Sequence, residues 1–197
     1  MDTLQHVERF ALTQKITMMV NRYEIHAVDG NGQPSGLLAV AQQKRMAFKE
    51  QVTFYSDESR STAVFSFKAR QRMDLGATYD VLDAGGNPIG SFSKSFGRSL
   101  LRSTWNLDAP GVKAVGTERS GGIAIARRAW ELLPVVNNLP SPFLFHFDFV
   151  DEGGQVVLSS VRRRALRDRY DVTVPAARLD GRVAAAMAVA LDALQSR

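Results

Sequence analysis

The sequence of 197 residues contains no cysteine. Disulfide bonds, thiolate catalysis, zinc–thiolate sites and S-palmitoylation of this chain are therefore excluded. A Gly-x-Ser-x-Gly nucleophile motif is also missing, and the glycines of GGNPIG lack the spacing of a dinucleotide-binding loop. We therefore expect neither an enzyme nor a bound cofactor, although a catalytic site assembled across several strands would leave no motif.

Long hydrophobic runs are also missing. No apolar run approaches the ~20 residues that a membrane-spanning helix needs. The first residues, MDTLQHVERFALTQK, have no basic segment followed by a long apolar stretch, so we expect no signal peptide. These absences predict a cytoplasmic protein, which would be peripheral at the inner membrane face if it contacts a membrane.

The charge balance is moderately basic. The chain has 25 lysine and arginine residues against 20 aspartate and glutamate residues, a net charge of +5. Such a balance favours anionic partners such as lipid headgroups or nucleic acid. Many soluble proteins carry a similar charge, so the total does not by itself identify a partner.

One motif occurs three times. Alternating apolar residues are followed by Asp-x-x-Gly and then by Gln or Asn, in residues 23–34, 79–88 and 145–156. The alternation is the period of a half-buried strand, the Asp can accept hydrogen bonds from the turn backbone, and the Gly can adopt a positive φ. The motif therefore predicts three β-hairpins. We favour this turn chemistry over calcium binding, because each loop supplies too few carboxylates.

Further β-like segments bring the total to about a dozen short strands, which favours a barrel or a sandwich. Residues 122–133, GIAIARRAWELL, are predicted to be helical, because Ala126, Trp130 and Leu133 would share one helical face. A second predicted helix lies at the C-terminal end of the chain.

The C-terminal segment DGRVAAAMAVALDALQSR predicts a short helix at about residues 180–195, with Asp180 as its cap. Residues 183–191 are apolar without interruption, so the helix is apolar all round and must be buried. At 1.5 Å per residue it would be ~20–25 Å long and too short to cross a bilayer. A slim, alanine-rich helix suits the lumen of a closed sheet.

The order of these segments resembles the LURP-one-related and phospholipid scramblase families, which have the tubby C-terminal-like architecture. The resemblance extends over about residues 14–194 and rests on QKITMMVNRYEI, VLDAGGNPIGSFSKSF with LLRSTWNL, FHFDFVDEGGQVV, LRDRYDVTVP and LDGRVAAAMAVALDAL. It implies a single domain over residues 1–197. That domain would be mainly β: a closed antiparallel barrel of roughly 12 strands around a central hydrophobic C-terminal helix.

The resemblance implies a non-enzymatic role such as contact with lipid or phosphoinositide, membrane tethering or, for scramblases, lipid movement. Scramblases have an acidic segment before the terminal helix that is linked to calcium. Asp168 matches its position and Asp171 lies nearby, so these are the candidates for a metal site. Because interleaved arginines oppose a divalent cation, we expect no metal. Without cysteines or a proline-rich arm, the chain is more similar to the LURP-one-related family.

The segment VRRRALRDRY is the main candidate for an anion site. Arg162 and Arg164 would share one face of a strand, and Arg167 and Arg169 beyond a turn could complete a site for phosphate. The alternative is a solvated barrel exterior, with Asp168 and Asp171 as ion-pair partners.

A second basic set consists of Lys94, Arg98 and Arg102, interleaved with Phe96, Leu100 and Leu101. A loop of this composition could dock on a membrane, or its apolar residues could point inward. The favoured function is a peripheral binding module for anionic phospholipid or another phosphorylated ligand. The alternatives are a protein-interaction or regulatory scaffold without lipid affinity and, less favoured, a nucleic-acid-binding protein. The arginine cluster has too few interleaved aromatic residues for single-strand binding.

Overall fold

The computed structural model describes residues 4–16, 20–44, 51–70, 78–95, 104–119, 146–163 and 169–195. They form twelve β-strands, one turn of 3₁₀ helix at Pro175–Ala177 and one α-helix, α1, at Gly181–Gln195. The strands are β1 Arg9–Ile16, β2 Val20–Val28, β3 Pro34–Lys44, β4 Gln51–Tyr55, β5 Ala63–Ala69, β6 Thr78–Asp83, β7 Pro88–Lys94, β8 Thr104–Ala109, β9 Val112–Glu118, β10 His146–Asp151, β11 Val156–Arg163 and β12 Arg169–Thr173. The helix predicted at residues 122–133 lies outside the described residues.

Each strand pairs antiparallel with its neighbours in the chain, and β1 also pairs with β12, so the sheet closes into a barrel. Closure leaves the sheet no unpaired edge strand. The predicted mainly β fold, a closed 12-stranded antiparallel barrel with a C-terminal helix, is confirmed.

The two ends of the barrel differ. One end, here called the turn end, carries the turns 29–33, 56–62, 84–87, 110–111 and 152–155, and α1 begins there. The opposite end is called the far end. The strands that meet there are joined through residues outside the described ranges, at 17–19, 45–50, 71–77, 96–103, 120–145 and 164–168.

The three predicted hairpins are confirmed as β2–β3, β6–β7 and β10–β11. In the first, Asp29 Oδ1 accepts hydrogen bonds from the backbone N–H groups of Asn31 and Gln33 at 2.9 and 2.8 Å. Gly32, three residues after the Asp, has a φ of 74°. The other two hairpins repeat this arrangement with Asp83, Gly86, Asp151 and Gly154.

A fourth turn, between β4 and β5, follows the same plan without the glycine. Asp57 Oδ1 accepts a hydrogen bond from the Ser59 backbone N–H at 2.8 Å, and Arg60 takes the left-handed position with a φ of 56°. A register shift adjoins this turn, as it does the other three. Because arginine stands where the other three turns have glycine, this fourth copy of the turn was not recognised from the sequence.

Replacing Arg60 by Gly is expected to raise the free energy of unfolding by about 1 kcal/mol. A left-handed conformation costs a non-glycine residue roughly 1–2 kcal/mol, from which the lost entropy of the glycine backbone must be subtracted. Equilibrium urea unfolding measures the change. Gly86→Ala, the reciprocal change at the equivalent position, should destabilise the protein, and Arg60→Gln should have little effect. A less stable Arg60→Gly variant would contradict this account of the turn.

Helix α1 lies inside the barrel. The Asp180 side chain caps it by accepting a hydrogen bond from the Arg182 backbone N–H at 2.9 Å, as predicted. Ala185 and Val189 share one face of the helix and Met187 lies on the opposite face, and all three are 0% exposed. Gly90 of β7 faces this helix, and a Cβ at Gly90 would lie 3.0 Å from Val183 Cγ2. The missing side chain lets the strand approach the helix closely.

Aromatic side chains fill much of the remaining lumen. Phe54 and Phe65 stack with their ring centroids 4.1 Å apart, and Phe67 meets Phe92 edge-to-face at 5.4 Å. Trp105 continues the row beside Phe92 at 6.2 Å. Large rings on one side of the barrel and small alanine side chains on the helix together fill the interior.

Candidate functional site: the far end of the barrel

The described charges are distributed unequally between the two halves of the barrel. The half at the turn end has nine acidic and five basic side chains: Glu8, Asp29, Asp57, Glu58, Asp83, Asp108, Asp151, Glu152 and Asp180 against Arg9, Arg60, Lys113, Arg178 and Arg182. The half at the far end has ten basic and six acidic residues: Lys15, Arg22, Lys44, Lys68, Arg70, Lys94, Arg119, Arg162, Arg163 and Arg169 against Glu24, Asp80, Glu118, Asp148, Asp171 and Asp192. Glu24 and Asp171, near the middle of their strands, are counted here with the far end.

The segments of the sequence that connect these strands, at 17–19, 45–50, 71–77, 96–103, 120–145 and 164–168, contain nine basic and four acidic residues and lie outside the described residues. The described barrel therefore has net charges of opposite sign in its two halves. A charge distribution of this kind creates a field along the barrel axis.

Both predicted basic clusters belong to the far end. Lys94 is the last residue of β7, Arg162 lies near the end of β11, and Arg169 is the first residue of β12. The other candidates lie outside the described residues: Arg98, Arg102, Arg164, Arg167 and the metal candidate Asp168. The sequence placed the two clusters about 60 residues apart, and the closed sheet brings their strands to the same end.

Arg169 is held by other parts of the protein. Its Nη2 donates a hydrogen bond to the Gly32 carbonyl oxygen at 2.7 Å, and its Nε donates to Asp171 Oδ1 at 3.1 Å. Gly32 lies in the β2–β3 turn, so this turn reaches across the outside of β1 to β12. The Arg169 side chain is only 19% exposed, and its hydrogen bond to Gly32 joins β12 to the distant β2–β3 turn.

Arg162 and Arg169 lie on opposite faces of the sheet. Arg162 is paired in register with Tyr170, which is buried in the lumen, whereas Arg169 is the neighbour of Tyr170 and faces outward. Lys94 also faces inward: it is paired with the buried Trp105, and its Nζ lies 5.9 Å from the Trp105 ring centroid. The described candidates thus share an end of the barrel but do not converge on one surface.

Three arginine–aspartate pairs surround the outside of the far end. The sequence alternative of an ion-paired exterior included Asp171, whereas the other two pairs were not predicted. The three pairs join the last residues of one strand to the next strand: Arg70 to Asp80 at 2.7 Å, Arg119 to Asp148 at 2.6 Å and Arg163 to Asp171 at 2.7 Å. The three arginine side chains are 56–62% exposed. In each pair, the Asp lies on the neighbouring strand, two residues after the residue that is directly opposite the Arg. This common spacing can be recognised only when the pairing of the strands is known.

The pair at Asp148 shows how burial and charge compete. Burial alone would raise the pKa of Asp148, but hydrogen bonds from Arg119 and Ser159 lower it, and the lowering prevails. Ser159 Oγ donates to Asp148 Oδ1 at 2.8 Å. The carboxylate is therefore ionised at neutral pH and neutralises Arg119 locally.

A further charge cluster covers the outside of β1 and β2. Glu24 is 4% exposed and lies 2.7 Å from Lys15 Nζ, 3.1 Å from Arg22 Nε and 3.4 Å from His26 Nε2. Burial opposes ionisation of Glu24, yet its cationic partners lower its pKa overall. Arg22 also contacts Glu58 of the β4–β5 turn at 2.7 Å. This cluster fixes neighbouring hairpins to each other and has little net charge.

Lys68 of β5 differs from these paired cations. Its side chain is exposed, and it forms no ion pair within the described part of the chain. The residues paired with it are Gln51 of β4 and Asp80 of β6, and Asp80 is occupied by Arg70. Lys68 is therefore an accessible positive charge at the far end.

The metal candidate Asp171 accepts hydrogen bonds from both Arg163 and Arg169. Across the described ranges, no group of three or more His, Asp or Glu side chains could hold a metal ion. Within those ranges no helix is long and apolar enough to span a membrane.

Comparison with known proteins identifies the family. No curated protein sequence matches the chain significantly. Residues 38–192, more than three quarters of the chain, match the family model described as LURP-one-related. The matched region begins within β3 and ends at Asp192 of α1, so it contains nine complete strands of the barrel, β4 to β12, and most of the helix. The chain therefore belongs to the LURP-one-related family.

Proposed function

We propose that this protein is a non-enzymatic binding module for anionic phospholipid and that the basic far end of the barrel supplies the binding surface. The observation that carries this proposal is the opposite net charge of the two halves of the barrel. Basic residues near an anionic membrane surface contribute about 1 kcal/mol each to binding. The resemblance to phospholipid scramblases supports a lipid as the ligand.

The described surface favours a membrane over nucleic acid. All the described aromatic side chains are buried or half-buried, so no aromatic platform is available on which bases could stack. A protein-interaction scaffold would be favoured by a large exposed apolar patch. Among the described residues, Val115 and Val156 are the large apolar side chains that are clearly exposed, and they make a small surface.

Vesicle co-sedimentation tests this function. Vesicles of phosphatidylcholine with phosphatidylserine are expected to bind the protein at least about tenfold more strongly than vesicles of phosphatidylcholine alone, because two or more unbalanced basic residues contribute about 1 kcal/mol each. Binding should weaken as salt is added, since the Debye length falls from about 8 Å at physiological ionic strength to about 3 Å at 1 M.

Two double variants assign the binding to one of the basic clusters. Each variant removes two positive charges. One is Arg98→Gln/Arg102→Gln, in the segment that follows β7 in the sequence, and the other is Arg164→Gln/Arg167→Gln, in the segment that follows β11. The matched control, Arg60→Gln/Lys113→Gln, removes the same charge from the turn end. Weaker binding is expected for one or both of the first two variants and not for the control. Equal binding of the wild-type protein to the two kinds of vesicle would eliminate the proposal.

A further inference from the structure

We infer that the barrel docks end-on, with its far end against an anionic bilayer and its turn end directed away from it. This inference rests on the proposed lipid binding and adds the orientation of the bound protein. The interaction surface is the ring of side chains at the far ends of the strands, and its partner is a bilayer rich in phosphatidylserine.

The length of the barrel supports this orientation. Helix α1 has 15 residues and runs from one end of the barrel towards the other, which at 1.5 Å per residue is about 22 Å. The Debye length at physiological ionic strength is about 8 Å. In an end-on orientation most carboxylates of the turn end are therefore screened from the membrane, while the basic far end lies within reach of it. Glu58 differs from them, because it contacts Arg22 at 2.7 Å and the two charges offset each other.

The basic residues are distributed around the whole barrel. They lie in or directly after β1, β2, β3, β5, β7, β9, β11 and β12, so they encircle the axis instead of following one face. Twelve strands about 4.8 Å apart and tilted by about 40° enclose a cylinder roughly 24 Å across. A broad ring of charge complements a flat anionic surface better than a narrow groove would.

The charges also disfavour docking along a side of the barrel. A bilayer along the side would meet both halves, including exposed carboxylates such as Asp108 and Glu152. These groups would be repelled by an anionic surface and would offset the attraction of the basic half. Val115, in the middle of β9, is exposed on one side of the barrel and would be buried if that side faced the bilayer. It therefore provides a marker for the alternative.

Strand β5 and the turn before it offer a matched pair of charges for the test. Lys68 lies near the far end of β5 and Arg60 lies in the turn at its other end, and both side chains are exposed. End-on docking predicts that Lys68→Gln weakens binding to phosphatidylserine vesicles about fivefold, as expected for the loss of about 1 kcal/mol. Arg60→Gln should change binding less than about twofold, since it lies more than a Debye length away. Equal losses would overturn the orientation.

Fluorescent labels measure the orientation directly. Because the chain has no cysteine, single cysteines can be introduced at Gln51 of the far end, at Ala84 of the turn end and at Val115 in the middle of β9 on the side. With a quencher attached to the lipid headgroup, the label at Gln51→Cys should be quenched strongly, and the labels at Ala84→Cys and Val115→Cys should be quenched weakly. Strong quenching at Val115 or Ala84 would overturn end-on docking.

The two proposals fail in different ways. If the wild-type protein binds vesicles with and without phosphatidylserine equally, the lipid-binding function fails and the orientation fails with it. If it binds phosphatidylserine vesicles selectively but the labels show another orientation, the function stands and the inference is wrong. If the protein binds an oligonucleotide but not phosphatidylserine vesicles, the far end is a nucleic-acid surface, and both proposals are overturned.

Discussion

Replacing Met187 by Asp is expected to abolish cooperative folding. Met187 is 0% exposed and lies in the middle of α1, where the neighbouring Ala186 and Ala188 are also buried. A carboxylate there would have no solvent, and removing an unpaired charge from water costs several kcal/mol. Since the whole free energy of unfolding of a domain is about 5–15 kcal/mol, the variant should lack a thermal unfolding transition by circular dichroism.

The matched control for this variant is Met187→Leu. The two side chains have similar volumes, so the free energy of unfolding should change by less than about 1.5 kcal/mol. A Met187→Asp protein that unfolds cooperatively, with a midpoint close to that of the control, would show that α1 is not enclosed by the barrel.

Adding a single methyl group at Gly116 is the second change with a large expected effect. Gly116 of β9 faces the lumen, and a Cβ there would lie 2.4 Å from Phe149 Cε1 and 2.5 Å from Phe149 Cζ. Phe149 is completely buried, so its ring cannot swing into solvent to relieve the contact. Overpacking of this kind typically costs 1–3 kcal/mol, and we expect Gly116→Ala to lie at about 2–3 kcal/mol in urea unfolding.

Two comparisons make the Gly116 result specific. Gly36→Ala adds a methyl group to β3 where no atom lies within 4 Å, and its effect should stay within about 0.5 kcal/mol. Phe149→Leu removes the obstructing ring, so the double variant Gly116→Ala/Phe149→Leu should be more stable than the sum of the single effects predicts. Strict additivity would indicate that Gly116 and Phe149 do not collide.

The three glycine-containing hairpins could be predicted from the sequence because their determinants are local. Each Asp accepts hydrogen bonds from N–H groups two and four residues ahead, and the glycine three residues ahead adopts a positive φ. The fourth turn was not predicted, because Arg60 occupies the position that glycine has in the other three. The hydrogen bonds at Asp57 hold Arg60 in a conformation that its own side chain disfavours.

The buried helix could be predicted because a run of apolar residues without a polar face has few alternatives to burial. The environment of Asp192, the first polar residue after that run, could not be predicted from the sequence. Its carboxylate accepts hydrogen bonds from the Tyr23 and Tyr170 hydroxyl groups at 3.0 and 2.5 Å, and these tyrosines belong to different strands. Tyr23 and Tyr170 lie 169 and 22 residues from Asp192 in the sequence, and the closed barrel brings them together. No local sequence pattern indicates these contacts.

The candidate site was predicted in part. Composition identified basic clusters around Lys94 and Arg162, and the topology brings both to the far end. The phosphate site expected from Arg162, Arg164, Arg167 and Arg169 depended on how the chain turns between β11 and β12. For its two described members, the register places Arg162 inward and Arg169 outward. The segregation of charge between the two halves became visible only after the strands were assigned alternating directions.

The most direct test of the architecture is the reactivity of a thiol at position 189. Val189 is 0% exposed inside the barrel, whereas Val156 on the outside is 39% exposed. Because there is no native cysteine, Val189→Cys and Val156→Cys each provide a single thiol. We predict that a maleimide labels Val156→Cys rapidly in the native protein and labels Val189→Cys only after denaturation. Labelling of both at the same rate in the native protein would contradict a helix enclosed by twelve strands.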